Sequence, residues 1–205
     1  MNRKHKRIHS NKPLSYRQQL LKEFKEKYPY YNFKSNLLAG IFIIGVSLTV
    51  WEINIYRETF IPLYTTLSIW ILPSLITTPL FKKTFNIYCF NPYSPGRTGL
   101  FWHYFYNIAS FGGILLFLFM WTNQNFTEHK KNVLTTSITK YGHLAKSSRS
   151  CGDPYVHINY MNNEKELVFP CGTEIEKYNT VFIEVEKGFF GFDIITNKTL
   201  IKGQW

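Results

Sequence analysis

Apolar and polar positions divide the chain into three parts with different periods. Between residues 37 and 126 lie three long apolar stretches: Leu37–Trp51 (extendable to Tyr56), Thr59–Phe81 and Gly99–Phe126. The second and third contain no charged residue. About 20 apolar residues in helical conformation cross the roughly 30 Å hydrocarbon core of a bilayer. The pattern therefore predicts three transmembrane helices, the first reaching full length only by including Glu52 and Asn54, with Glu52 at headgroup level.

Beyond about Asn132 the period falls to two. Val156, Ile158 and Tyr160 alternate with Tyr155, His157 and Asn159, and Lys165–Phe169 returns after a turn at Met161–Glu164. Val181, Ile183 and Val185 alternate with Phe182, Glu184 and Glu186, and Gly188 and Gly191 interrupt an aromatic run. Ile194 and Ile195 continue, and Asn197–Lys198 reads as a last turn before Leu200 and Ile201. With a leading strand near Val133–Lys140, five or six short strands form a small antiparallel β barrel or sandwich. Upstream, residues 13–28 have the spacing of an amphipathic helix, with Leu20, Leu21, Phe24 and Tyr28 on one stripe, Ser15 as N-cap and Pro29 as its stop. The predicted fold class is thus membrane α + β. Its domains are a basic N-terminal segment (1–36), a three-span region (37–126) and an extracytoplasmic β domain (127–205).

Charge orients this arrangement. The 205-residue chain carries a formal net charge of +11, unevenly spread. Short cytoplasmic segments collect Lys and Arg. The first 36 residues are rich in both, and the second connection carries Lys82, Lys83 and Arg97 without an acid. Both are expected in the cytoplasm, with the Glu52–Glu58 connection and the β domain outside it. The first span serves as insertion signal, and no cleavable signal peptide is visible. The basic cluster at Arg3, Lys4, Lys6 and Arg7 then reads as a positive-inside tail, with nucleic acid not expected as a partner. Arg17, Lys22, Lys25 and Lys27 suit a helix lying on anionic lipid. The competing reading is a solvated helix packed on the second connection.

Several side chains follow from this layout. Cys151 and Cys171 fall in the external domain on either side of the Tyr155–Phe169 hairpin, where a disulfide is permitted. Such a bridge fits the topology, two unrelated small core residues being the alternative; Cys89 stays reduced. Ala109 and Gly113, with Ser110 beside them, form a small-residue helix-packing face toward another span or another subunit. By this reading Gly113→Leu disrupts packing and Gly112→Leu, pointing elsewhere, does less. His103 and Asn107 share a helix face near the inner end, within reach of water, suited to helix–helix hydrogen bonds. Pro73 is expected to kink the second span.

The segment Ser137–Ile195 resembles small β domains attached to uncharacterised bacterial membrane proteins. The likeness rests on Lys140–Tyr141, the loop Ser147–Ser150, the strand Tyr155–Tyr160 and the ending Ile183–Gly191. It implies a fold and membrane attachment, in the bacterial inner membrane, and no activity.

No catalytic, cofactor or metal motif is present. Cys151 with His143 or His157 lacks an orienting partner for nucleophilic chemistry, and Cys151 and Cys171 lack the close pairing of structural zinc ligands. The chain is therefore expected to be a non-enzymatic multi-pass membrane protein. Its external domain is expected to bind a protein or envelope component, in an accessory, scaffold or immunity-type role, with Tyr155, His157 and Phe182 as partner surface. The alternative is a subunit of an oligomeric transporter or channel, as a homo-oligomer packed through Ala109 and Gly113.

Overall fold

The computed structural model describes residues 15–88, 100–145, 152–161 and 163–202, and in the first helix the side chains of all but Arg17 and Leu21. Helix α1 (Tyr16–Lys27) begins where expected. The Gln18 N–H donates to Ser15 Oγ, and the Ser15 N–H donates to Gln18 Oε1, a reciprocal capping box. Three long helices follow: α2 (Tyr31–Arg57), α3 (Leu63–Tyr88) and a third, Leu100–Asn125. The third comprises α4 (Leu100–Asn107), a π-helical turn (Ile108–Gly112) and α5 (Gly113–Asn125). Each is long and apolar enough to cross a membrane. Helix α3 continues through Pro73 and Pro79 as one element.

The helices form a bundle in which α2 and the third helix run the same way and α3 runs back. Pairings along the axis fix this order. Tyr106 Oη donates to Leu38 O, and Trp51 lies against Phe117 further out. On α3 the sequence reverses: Asn86 meets His103, Thr78 meets Asn107, and Trp70 Nε1 donates to Ile108 O.

Five strands follow: β1 (Lys131–His143), β2 (Pro154–Tyr160), β3 (Asn163–Val168), β4 (Thr180–Lys187) and β5 (Asp193–Ile201). They pair antiparallel in the order β3-β2-β1-β4-β5. The first half of β1, to Ser137, pairs with β4, and its second half, from Ile138, pairs with β2, with an irregular register between Ile138 and Lys140. The sheet therefore curls into a half-barrel. Val156, Ile158, Leu167, Phe169, Ile175, Val181, Ile183, Val185 and Ile195 fill its concave face.

Two expectations need correction. Strand β5 runs through Asn197 and Lys198, which pair with Glu184 and Ile183, so no turn forms there. The second long helix starts at Leu63; Thr59 and Phe60 belong to the sheet side, while Ile61 packs with Ile55, Leu116 and Met120 of the bundle. Thr59 bridges to Ile194, and the Phe60 N–H donates to Asp193 O (2.8 Å). Phe60 enters the sheet core against Tyr160, with ring centroids 4.2 Å apart. Separately, the Glu52 side chain packs inside the protein. It stands seven positions after Gly45, on the same helix face, and is buried with one carboxylate oxygen lacking a hydrogen bond.

Candidate functional site

The two edges of the half-barrel, β3 and β5, both meet the C-terminal end of α2 and the connection that follows it. On the β5 side the Ile195 N–H donates to Glu58 O (2.7 Å). On the β3 side Lys165 reaches across. Alternation places Lys165 with Leu167 and Phe169 on the buried face, where its Nζ donates to Tyr56 O (2.5 Å) and Thr59 O (2.7 Å). The ammonium also sits 4.2 Å from the Tyr56 ring centroid. A cation against the Tyr56 carbonyl, in the last turn of α2, is stabilised by the helix dipole; Thr59 lies just beyond the helix, and both carbonyls also accept a backbone N–H, from Thr59 and Ile61. Burial pushes the Lys165 ammonium down to about 8. On the same side, burial and the hydrogen bond from Tyr160 Oη to Asp193 Oδ2 (2.7 Å) push the Tyr160 phenol up to about 12.

Outside this latch lies a cleft of about 410 Å³ between α2 and the β2–β3 hairpin, lined by Tyr56, Arg57, His157, Glu164, Lys165 and Glu166. His157 Nδ1 lies 3.0 Å from Glu164 Oε1 and Nε2 lies 3.9 Å from Glu166 Oε2, as charge contacts without hydrogen-bond alignment. Both carboxylates are partly exposed, and the exposed Arg57 faces them from α2. The cleft thus offers both signs of charge with an aromatic wall. That suits ionic and hydrogen-bonding recognition of a polypeptide or a polar headgroup. Within the cleft the Lys165 ammonium is committed to the Tyr56 and Thr59 carbonyls. No group of three or more metal-ligating side chains occurs among the described residues.

Of the expected partner surface, Tyr155 and His157 lie together, ring centroids 5.4 Å apart and half-buried. Phe182 is elsewhere on the sheet. It registers with Thr135 of β1, whereas His157 registers with Lys140, five positions further along, or about 17 Å of strand. Residues 57, 164, 165 and 166 escaped the sequence reading. For Lys165 the signal was present, since it shares its parity with Leu167 and Phe169.

The small-residue face meets α2 of the same chain. A side chain at Gly45 would collide with the Ala109 carbonyl and come within 2.6 Å of Ser110 Cα, and one at Gly113 would collide with Thr49 and lie 2.6 Å from Gly45 O. Ser110 Oγ donates to Tyr106 O (2.6 Å). Because α2 occupies this face, it is closed to a second copy. Gly112 is no control: a side chain there would run into the Trp70 carbonyl of α3. His103 and Asn107 make interhelical hydrogen bonds, to Asn86 (2.9 Å) and to Thr78 (3.0 Å), and both are buried away from water.

On α1, Lys22, Lys25 and Lys27 are exposed, while Phe24 and Tyr28 pack with Tyr31 and Tyr88 at the bundle's end; the Arg17 side chain is outside the described set. Cys89 and Cys151 are outside the described residues. Cys171 and Gly152, the neighbour of Cys151, line one cleft of about 400 Å³ beside His143 and Glu174.

No protein-family model matches the chain, and neither a curated protein nor a solved structure matches it.

Proposed function

We propose that this is an integral membrane protein whose three helices hold a β half-barrel at the membrane surface. The half-barrel binds a protein or envelope component through the cleft formed by Arg57, His157, Glu164 and Glu166. Membrane insertion is supported by the belt of exposed apolar side chains around the bundle, among them Ile43, Val50, Ile76, Leu80 and Phe101. A water-soluble surface does not carry so large a continuous apolar area. The Lys and Arg bias supports an inward N-terminus and an outward half-barrel.

The observation that carries the binding reading is the cleft itself. Paired carboxylates, an imidazole and a guanidinium converge on one opening, held rigid by the Lys165 latch. The test is photo-crosslinking from position 164 in gently solubilised membranes. The reading requires an adduct that is absent with the cross-linker at Asn197 and is lost on Arg57→Glu. Equal capture from both positions, or capture insensitive to Arg57, overturns it.

A transport role has one observation in its favour, the buried Glu52 carboxylate with an oxygen free of hydrogen bonds. Ion flux in proteoliposomes that is abolished by Glu52→Gln would select that role.

The cleft shared by Gly152 and Cys171 supports a Cys151–Cys171 bridge in the external compartment. Closing a loop of this length stabilises by about 3 kcal/mol. Mass mapping without reductant is expected to link the two; free thiols at both would refute the bridge.

A further inference from the structure

We propose that the turn between β4 and β5, Gly188–Phe192, is an interfacial foot by which the half-barrel rests on the outer lipid leaflet; this rests on the membrane reading above. The turn is tightly closed. The Gly188 N–H donates to Phe192 O (3.0 Å), the Gly191 N–H donates to Gly188 O (2.8 Å), and Gly191 supplies the left-handed backbone with φ +84°. It carries three phenylalanines and no charge between Lys187 and Asp193.

A turn of this composition in a soluble domain would fold its rings inward. Here Phe189 is 62% exposed. It meets Phe190 (5.0 Å) and Phe126 (6.3 Å), and Phe126 in turn meets Trp121 (6.1 Å). Phe126 is 57% exposed, and Phe190 and Trp121 are exposed as well. The result is one aromatic patch drawn from two parts of the chain, the β turn and the end of α5.

The turn is held there by a single buried side chain. Asn123 Nδ2 donates to Phe192 O (3.1 Å), and the Phe190 N–H donates to Asn123 Oδ1 (3.0 Å). The Phe189 N–H donates to Asn123 O (3.3 Å). Phe190 stacks on Phe119 of α5 at 4.4 Å.

The occupant follows from continuity. Phe190 closes one end of an apolar groove of about 500 Å³ between α3 and α5, walled by Ile69, Leu72, Leu115, Leu118 and Phe119. A groove on the belt side of the bundle faces hydrocarbon chains. The aromatic patch at its outer end stands where Trp, Tyr and Phe rings are favoured, between chains and headgroups. Lipid therefore covers both with no change of surface.

The test is incorporation of a benzophenone side chain at Phe189 of the full chain, in nanodiscs of phosphatidylcholine and phosphatidylglycerol. The same probe goes at Ile76 on the belt and at Glu176 on the half-barrel. After illumination, phospholipid adducts are expected at 189 with a yield approaching that at 76, and none at 176. Adducts at 76 without adducts at 189, or protein adducts alone at 189, overturn the foot and leave the membrane reading standing. No lipid adduct at 76 overturns the membrane reading and the foot with it. Position 189 tolerates the probe, since Phe189 is mostly exposed.

Discussion

In the half-barrel, Val156, Ile158, Leu167 and Ile183 lie inside, and Glu164, Glu166, Thr196 and Asn197 lie outside. In the bundle, Ser74, Thr78, His103, Asn107 and Ser110 lie inside, and Ile43, Ile76, Leu80 and Phe101 lie outside. The bundle also buries Phe85, Leu116 and Met120, so the two regions differ most in their outer surfaces, polar on the half-barrel and apolar on the bundle. Burial of apolar area drives the half-barrel together. On the proposed membrane reading, the same force does little between the helices, and close contact and hydrogen bonds take over. The bundle accordingly has glycines at its crossings and polar side chains paired across them. The half-barrel depends on its aliphatic core. Where the regions meet, each borrows from the other: Phe60, from the connection between α2 and α3, fills the sheet core, and Lys165 of the sheet caps a helix.

The largest way to break the contrast is at the crossings. Gly113→Leu and Gly112→Leu each force a backbone apart, from α2 and α3 respectively. Overpacking of this kind costs about 3 kcal/mol, read as loss of folded protein in detergent. Gly40 has open space around its Cβ position, so Gly40→Leu is expected to leave stability unchanged. Equal behaviour of all three would remove close packing as the bundle's basis.

Next is the junction. Lys165→Met leaves the Tyr56 and Thr59 carbonyls without their cation. Each carbonyl keeps a backbone hydrogen bond, from the Thr59 N–H and the Ile61 N–H; losing hydrogen bonds to a charged group costs about 1.5–3 kcal/mol, expected as a lower unfolding temperature. Within the bundle, Asn107→Leu removes the hydrogen bond to Thr78. Interhelical hydrogen bonds of this kind contribute about 0.6 kcal/mol, so a small drop is expected, measured against Thr78→Val and the double variant. A coupling of zero would mean that the polar interior does not bind the helices.

The smallest effect is in pH. The Lys165 ammonium, held at about 8 against 10.5 for an ordinary lysine, loses its proton earlier in the folded chain than in the unfolded one. The unfolded state binds more protons in that window, so stability rises with pH across it. Tyr160, raised from 10.0 to about 12, acts in the opposite sense: its contribution is complete below the ordinary value and is lost as pH climbs toward the raised one. Thermal unfolding from neutral pH upward is expected to improve and then decline. Lys165→Met should flatten the rise and Tyr160→Phe the decline.

Much of this was legible in the sequence because each region announces itself by period. Expected strands at Tyr155–Tyr160 and Thr180–Glu186 match Pro154–Tyr160 and Thr180–Lys187. What period cannot report is where an apolar residue goes. Phe60 sits in an uncharged run that continues into α3, so nothing local separates a sheet plug from a membrane span. Asn197–Lys198 has turn chemistry, yet pairing with β4 overrides it. Glu52 looks like a headgroup residue by its charge, and only the face it shares with Gly45 reveals its burial. The cleft joins residues more than 100 positions apart, and no single segment contains its pattern.

The central claim is that the bundle separates α1 from the half-barrel across a membrane. Single cysteines at Asn163 on the half-barrel and at Lys22 on α1, probed with a membrane-impermeant thiol reagent in intact cells, test it most directly. The expected result is labelling at position 163 in intact cells and at position 22 only after permeabilisation. Labelling of both positions in intact cells, or of neither until permeabilisation, would contradict it, and labelling of position 22 alone would invert the orientation.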